Sequence, residues 1–438
     1  MIPQLIMSRQ GVNLQPRMAA MSSPTDRSNL RWVVCGLLFL ATTINYMDRS
    51  ALSLVEPILK HLLGGDQDLA LYNRRYSDIV NSFILAYGLG FLVAGRVVDR
   101  IGVKKGYALA IGLWALASIS HAFARTALGS GIARFALGLG ESGNFPSALK
   151  ATADWFPNEE RALGTGIFNS GTSAGALIAP LLIPWVAFRY GWQAAFFTTG
   201  SLGLLWLVVW LLFPYDRLHS IFGNPAASVS FSVPPATYRS LLVSRGTWRF
   251  ALSKGCTDAI WWFYLFWLPK YFNERFHVDM KNLGPPLIIV YVGATVGSIA
   301  GGWLAGYYIR RGHSVRMGRR FAMFVSALCA APVALVPFVH PLWQAIALLC
   351  LAAAAHQGWS SNLLSTPSDM FPSSSVGTVV GIGGAAGAAG SVVFTFLVGI
   401  LWTSHALLIF FAAGSAYLLT LFAFQWRAPA NSPTRAPL

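Results

Sequence analysis

The residues best suited to chemistry lie in one stretch, RFALGLGESGNFPSALK, from Arg134 to Lys150. Apolar residues flank it, yet it carries Arg134 and Glu141. Seven residues is close to two helical turns, so the two charges share a face with a drift of only ~20°. At ~1.5 Å per residue they stand roughly 10 Å apart along the axis. The Arg is a fixed cation whose planar fork fits a carboxylate. The Glu can take up and release a proton. A charge at membrane depth costs about 2.5–3.5 kcal/mol on insertion scales, so both must face protein or water. Two readings follow. One is a structural ion pair that locks two helices. The other is a solute pathway in which the Arg holds an anion and the Glu handles a proton.

The elements that position these charges follow from composition. Of 438 residues, 55% are hydrophobic and only 11% are charged, against roughly 25% in an ordinary soluble domain. Mean hydropathy is +0.54. These values describe an integral membrane protein. Cys35, Cys256, Cys329 and Cys350 all fall in apolar segments, which implies no disulfide framework. The net charge of +16 is spread over short loops between apolar spans. That marks membrane orientation rather than nucleic-acid binding.

Segments long enough to cross ~30 Å of hydrocarbon occur at 32–58, 77–98, 104–123, 128–151, 162–187 and 192–213. After a Pro- and Ser-rich stretch, six more occur at 247–272, 285–309, 318–337, 341–366, 376–400 and 404–426. The expected fold class is an all-α membrane protein with 12 transmembrane helices in two six-helix halves. Residues 1–31 read as a disordered cytoplasmic tail, since no apolar run there is long enough for a signal peptide. Residues 32–213 form the first half, 214–245 a cytoplasmic linker, 246–426 the second half and 427–438 a C-terminal tail.

A repeat supports two halves. GRVVDRIGVKK begins at Gly95 and GWLAGYYIRRG at Gly302, 207 residues later, with Gly306 standing where the first copy has Asp99. With the N-terminus inside, the cytoplasmic side holds 21 of the 32 Lys and Arg residues and the outer side 8. That bias places both termini in the cytoplasm.

Other polar residues at membrane depth extend the candidate site. Asp48 and Arg49 are adjacent in NYMDRSALS, about 100° apart on a helix, so one can face a cavity and the other a neighbouring helix. Tyr87 offers a hydroxyl in AYGLG, and Asn169 and Thr172 lie in FNSGTSAGA. Lys254 and Asp258 sit four apart in an aromatic span. They form either a snorkelling pair or a substrate contact. Trp261, Trp262, Tyr264 and Trp267 either stack on a sugar ring or form an interfacial belt. The run GIGGAAGAAGS, Gly381 to Ser391, reads as a helix that can bend or as a close-packing surface. There is no P-loop and no metal-ligand spacing among the histidines. No enzyme, no metal and no cofactor is expected beyond a coupling proton.

These motifs carry a resemblance. Gly95, Asp99, Arg100, Gly102 and Lys104 resemble the loop 2–3 signature of the major facilitator superfamily, which latches the two halves on the cytoplasmic side. NYMDR, RFALGLGE and WFPNEERALGTGIFNSG together resemble its anion:cation symporter branch. TDAIWWFYLFWLPKYF, HQGWSSNLL and SDMFP resemble bacterial hexuronate transporters, which carry galacturonate or glucuronate with protons. The resemblance implies that Arg134 binds the substrate carboxylate, with Arg49, Tyr87, Asn169, Thr172, Lys254, Trp262, His356, Gln357 and Asn362 around it. It implies Glu141 as the proton-coupling acid with Asp48 assisting. It also implies a bacterial inner-membrane location, a small anionic substrate, contact with lipid, no nucleic acid and a monomer. Other organic anions such as galactonate, glucarate or tartrate stay open, and a channel or receptor is the non-transporter alternative.

Overall fold

The computed structural model describes residues 24–56, 58–59, 69–224, 236–278 and 284–426. The first half comprises α1 (Pro24–Leu54), α2 (Leu69–Ile101), α3 (Val103–His121), α4 (Ala127–Glu141), α5 (Asn144–Trp155), α6 (Asn158–Tyr190) and α7 (Trp192–Leu212). Two short helices follow, α8 (Tyr215–Phe222) and α9 (Tyr238–Val243). The second half comprises α10 (Arg245–Phe276), α11 (Gly284–Arg310), α12 (Val315–Ala330) and its 3-10 continuation Ala331–Phe338, α13 (Leu342–Met370) and α14 (Ser373–Thr420). Among the described residues there is no strand.

Among the described residues, eight helical stretches are apolar and long enough to cross a membrane by length and composition. They lie in α1, α2, α6, α7, α11, α12 with its continuation, and α14, which supplies two. The helices that fall outside this set are α3, α4–α5, α10 and α13. Three of these carry the charges and amides of interest: Arg134 and Glu141, Lys254 and Asp258, His356 and Gln357. Helices α4 and α5 fall outside by length, since the break between them leaves 15 and 12 residues.

Several expected boundaries shift. The first helix starts at Pro24, so residues 24–31 of the expected tail are helical. Proline's φ is already helical at a first position. Arg31 in this segment pairs with Glu160 of α6 at 2.9 Å. Residues 1–23 and the expected C-terminal tail, 427–438, lie outside the described residues. The fourth span, expected as one helix over 128–151, breaks into α4 and α5 at Ser142–Gly143. Pro146 has no N–H to offer the Ser142 carbonyl, which removes one rung of the ladder there. Spans eleven and twelve are joined through a kink at His405, φ −142° and ψ 40°. The linker holds α8 and α9, and α8 is docked. Its Tyr215 hydroxyl lies 3.4 Å from Asp154 Oδ2, and the Asn224 N–H just beyond it donates to the Asp154 carbonyl at 2.9 Å.

The halves meet along two related seams. Helix α2 packs on α14, and α6 packs on α11, so the second helix of each half crosses the fifth span of the other. Close approach is set by the repeated glycines. A Cβ on Gly95 would strike the Gly377 carbonyl of α14, and one on Gly302 would strike the Ala162 carbonyl of α6.

Charged clasps lie at the same end as the repeated motifs. Asp99 accepts from the N–H of Gly377 at 3.0 Å and from the N–H and hydroxyl of Thr378, each at 2.6 Å. Lys150 donates to Asp99 at 3.0 Å and to the Ser373 carbonyl at 2.5 Å. Gly102 starts α3 with φ +84°, a conformation glycine tolerates. Lys104 donates to the Phe213 carbonyl at 2.8 Å, while Arg100 is exposed. On the other seam Asp369, from α13, bridges Arg161 at 3.1 Å and Arg319 at 3.0 Å. The second motif copy lacks an acid, and Asp369 supplies one from a different helix.

Breaking a buried pair by removing one partner costs about 3–5 kcal/mol. Asp99→Asn leaves Lys150, 1% exposed, without its counter-charge. We expect a clear drop in thermal unfolding temperature in detergent, partly recovered by adding Lys150→Gln. An unchanged temperature in the single variant would mean the clasp contributes nothing to stability.

Candidate functional site

A central cavity of about 60 Å³ lies between the two halves, lined from the first by Tyr46, Arg49, Tyr87, Asn169 and Thr172 and from the second by Lys254, Asp258, Trp262, His356 and Gln357. Arg49 comes from α1 and is boxed by three rings. Its guanidinium carbon lies 4.6 Å from the Tyr46 ring, 5.3 Å from Phe83 and 4.5 Å from Tyr87. Such faces attract a cation and restrict its rotamers. Its Nε and Nη2 both donate to Glu141 Oε2, at 3.1 and 2.9 Å. Glu141 is fully buried at the end of α4, and its other oxygen, Oε1, has no hydrogen-bond partner.

This pairing differs from the one expected between Arg134 and Glu141. Arg134 is 3% exposed, sits 5.8 Å from the Phe83 ring and donates through Nη1 to the Arg49 carbonyl at 3.4 Å. It does not line the central cavity. A shared helix face fixes direction but not depth. Two turns apart, only one of the two residues can lie level with the cavity, and Glu141 does. Arg134 stands behind Arg49, with its Nε and Nη2 unpartnered.

Asp48 also points away from the cavity, as adjacent helical positions require. Its Oδ1 accepts from Ser118 of α3 at 2.6 Å, and Ser118 lies 3.0 Å from Thr199 of α7. On the second half, Lys254 pairs with Asp258 one helical turn on. His356 is paired with the Tyr417 hydroxyl at 2.7 Å and stacks on Trp261 at 5.1 Å and 7°. Asn362 does not reach the cavity. It donates to the carbonyls of Gly301 and Gly358, each at 2.9 Å, and ties α13 to α11. Ser360, a neighbour that sequence reasoning passed over, lines the cavity instead, with Trp261 and Phe145. Tyr46 was legible in NYMDR, since it stands three residues before Arg49 on α1 and shares its face of the helix.

The two halves are bonded through the cavity floor. Asn169 donates to Gln357 at 2.6 Å and to Ser298 at 3.3 Å. Thr172 lines the space beside them with an unpartnered hydroxyl. The cavity thus has one cation from each half, each held by its own acid, and walls of aromatic rings and amides. It can bind a polar anion by exchange, an incoming carboxylate replacing a resident one. Among the described residues no cluster could hold a metal ion.

The Major Facilitator Superfamily matches the chain over residues 38–395. The chain belongs to the Major Facilitator Superfamily. Among curated superfamily members, it is 30% identical over 417 residues to the hexuronate transporter of Escherichia coli (strain K12), covering 92% of this chain and 95% of that one. It is 29% identical over 339 residues to the galacturonate transporter of Dickeya chrysanthemi, covering 74% and 96%. Among solved structures of the superfamily, the proton:xylose symporter XylE matches with TM-score 0.76 at 16% identity, over 90% of this chain and 95% of that one. This likeness supports the fold. The chain is a multi-pass membrane transporter and not an enzyme.

The Lys254–Asp258 pair is open to a double-variant test. Each single neutralisation leaves one charge alone on the cavity wall, so yield of folded protein should fall. The double neutralisation should restore yield. If Lys254 contacts substrate, the restored protein will transport at least about tenfold more slowly, equal to ~1.4 kcal/mol. Full activity in both single variants would sink both roles.

Proposed function

We propose that this transporter is a secondary active symporter that moves an anionic sugar acid, a hexuronate above all, together with protons. One observation carries the reading: the cavity-facing cation, Arg49, is held by a fully buried acid, Glu141. The relatives' names supply the substrate class, and the chemistry of the cavity agrees with it. A hexuronate brings one carboxylate for Arg49. Its hydroxyls match Asn169, Gln357, Thr172 and the Lys254–Asp258 pair, and its C–H face matches Trp262.

The pair supplies the coupling. Glu141 can release Arg49 only by taking a proton, because a lone buried carboxylate is too costly. Once released, Arg49 can accept the substrate carboxylate. Proton and substrate then assist each other, and the linkage is reciprocal. Arg134, behind Arg49, adds positive potential and steadies it through the Arg49 carbonyl. Asp48 is the assisting acid. The basic-loop bias supports a cytoplasmic side for the clasps and both termini, and the bacterial relatives support an inner-membrane location. With the clasps closed, substrate would arrive from the outer side, and breaking them would let the halves rock toward the cytoplasm.

Proteoliposomes separate the coupling proton from the binding site. Glu141→Gln keeps the shape of the protonated acid, so exchange of sugar acid across the membrane should persist. Accumulation driven by a proton gradient should fall at least about tenfold, because the empty carrier cannot return its proton. Retained accumulation would move the coupling proton to another acid, Asp48 first. Arg49→Lys should abolish uptake, since a point charge does not replace the fork. Arg134→Lys should be milder. The reverse order would return the carboxylate to Arg134.

A further inference from the structure

We infer that this transporter also takes sugar acids bearing an apolar substituent, in the class of aryl glycosides of hexuronic acids. The inference rests on the sugar-acid reading above. A second cavity, of about 330 Å³, lies between α2, α10 and α14 and shares Tyr87, Trp262 and Ala388 with the central one. Its own walls are apolar, with Phe83, Val392 and Phe396, and its polar groups are few: Asn81, Ser391 and Thr395. Among the described residues, no charged one lines it. A concave apolar space of this size with a few polar groups is the usual form of a small-molecule site.

The two cavities divide the work of recognition. Arg49 rests 4.5 Å from the Tyr87 ring, and Tyr87 lies in the wall common to both spaces. A carboxylate held at Arg49 is therefore one aromatic ring away from the apolar space. A sugar ring placed along Trp262 can direct a substituent into it. An aryl group gains from burial there. A second sugar gains less, because its hydroxyls would have to leave water for a wall that is mostly apolar.

Competition for uptake of labelled D-glucuronate in proteoliposomes tests this. Phenyl β-D-glucuronide should compete at least about tenfold more strongly than unlabelled D-glucuronate, the gain expected for burying one aromatic group. Thr395→Trp and Asn81→Trp fill the second cavity from two different helices, and neither position lines the central one. They should remove the phenyl advantage and leave D-glucuronate uptake unchanged. Equal or weaker competition by the phenyl glycoside would overturn the inference alone. Loss of D-glucuronate uptake in both folded variants would also overturn it, and would make the space the ordinary route to the site. If the unmodified protein neither takes up D-glucuronate nor is stabilised by it against thermal unfolding, the sugar-acid reading fails and this inference with it.

Discussion

A charge held at membrane depth must find its counter-charge in protein, and this requirement organises the whole molecule. Arg49 with Glu141, Lys254 with Asp258, Lys150 with Asp99, and Asp369 with two arginines meet it in two different ways. The Asp99 clasp is saturated: Asp99 accepts from three groups on α14 and from Lys150. The central pair is not, since Glu141 leaves one oxygen without a partner. A saturated buried network holds one geometry. An incompletely satisfied one lies closer in energy to its alternatives, which is what exchange with a ligand needs.

The seams explain how the clasps and cavity can be coupled. Helices α2 and α14, and α6 and α11, cross where small residues let backbones touch. Interfaces of this kind slide more readily than interlocked large side chains. Three side-chain bonds then cross or support the α6 seam near the cavity, through Asn169, Ser298 and Gln357 and, nearer the clasps, Thr165 with Ser365. A substrate that claims Asn169 or Gln357 competes directly with a bond that joins the halves. On the proposed site, binding and opening would share the same hydrogen bonds.

The site is also economical in charge. Each half contributes one cation to the cavity wall, and each cation is paired with an acid, Glu141 buried behind Arg49 and Asp258 beside Lys254, so the two pairs are close to neutral. Under the proposed coupling, a monoanion entering with a proton would leave that balance intact and limit the electrostatic cost of moving a charged solute through hydrocarbon. Aromatic rings around Arg49 add attraction without adding charge.

Sequence alone determined the class of the protein. Hydropathy, the six-linker-six arrangement and the basic loop bias need only local composition, and the two copies of the glycine motif exposed the internal symmetry. It also named most of the cavity wall, because polar residues such as Arg49, Asn169, Lys254 and Gln357 are conspicuous among apolar neighbours. Which charges meet was decided by the tertiary structure. Periodicity put Arg134 and Glu141 on one face, yet the α4 break and the depth of α1 gave Glu141 to Arg49. Asp48 and Asn362 turned to neighbouring helices for the same reason: a helix pattern specifies the angle around an axis, while a pair also needs matched depth and a facing partner. Asp369 took the place of the acid missing from the second motif from a helix that the repeat does not include. Such substitutions between helices leave no local trace in a sequence, because the contact joins residues far apart along the chain.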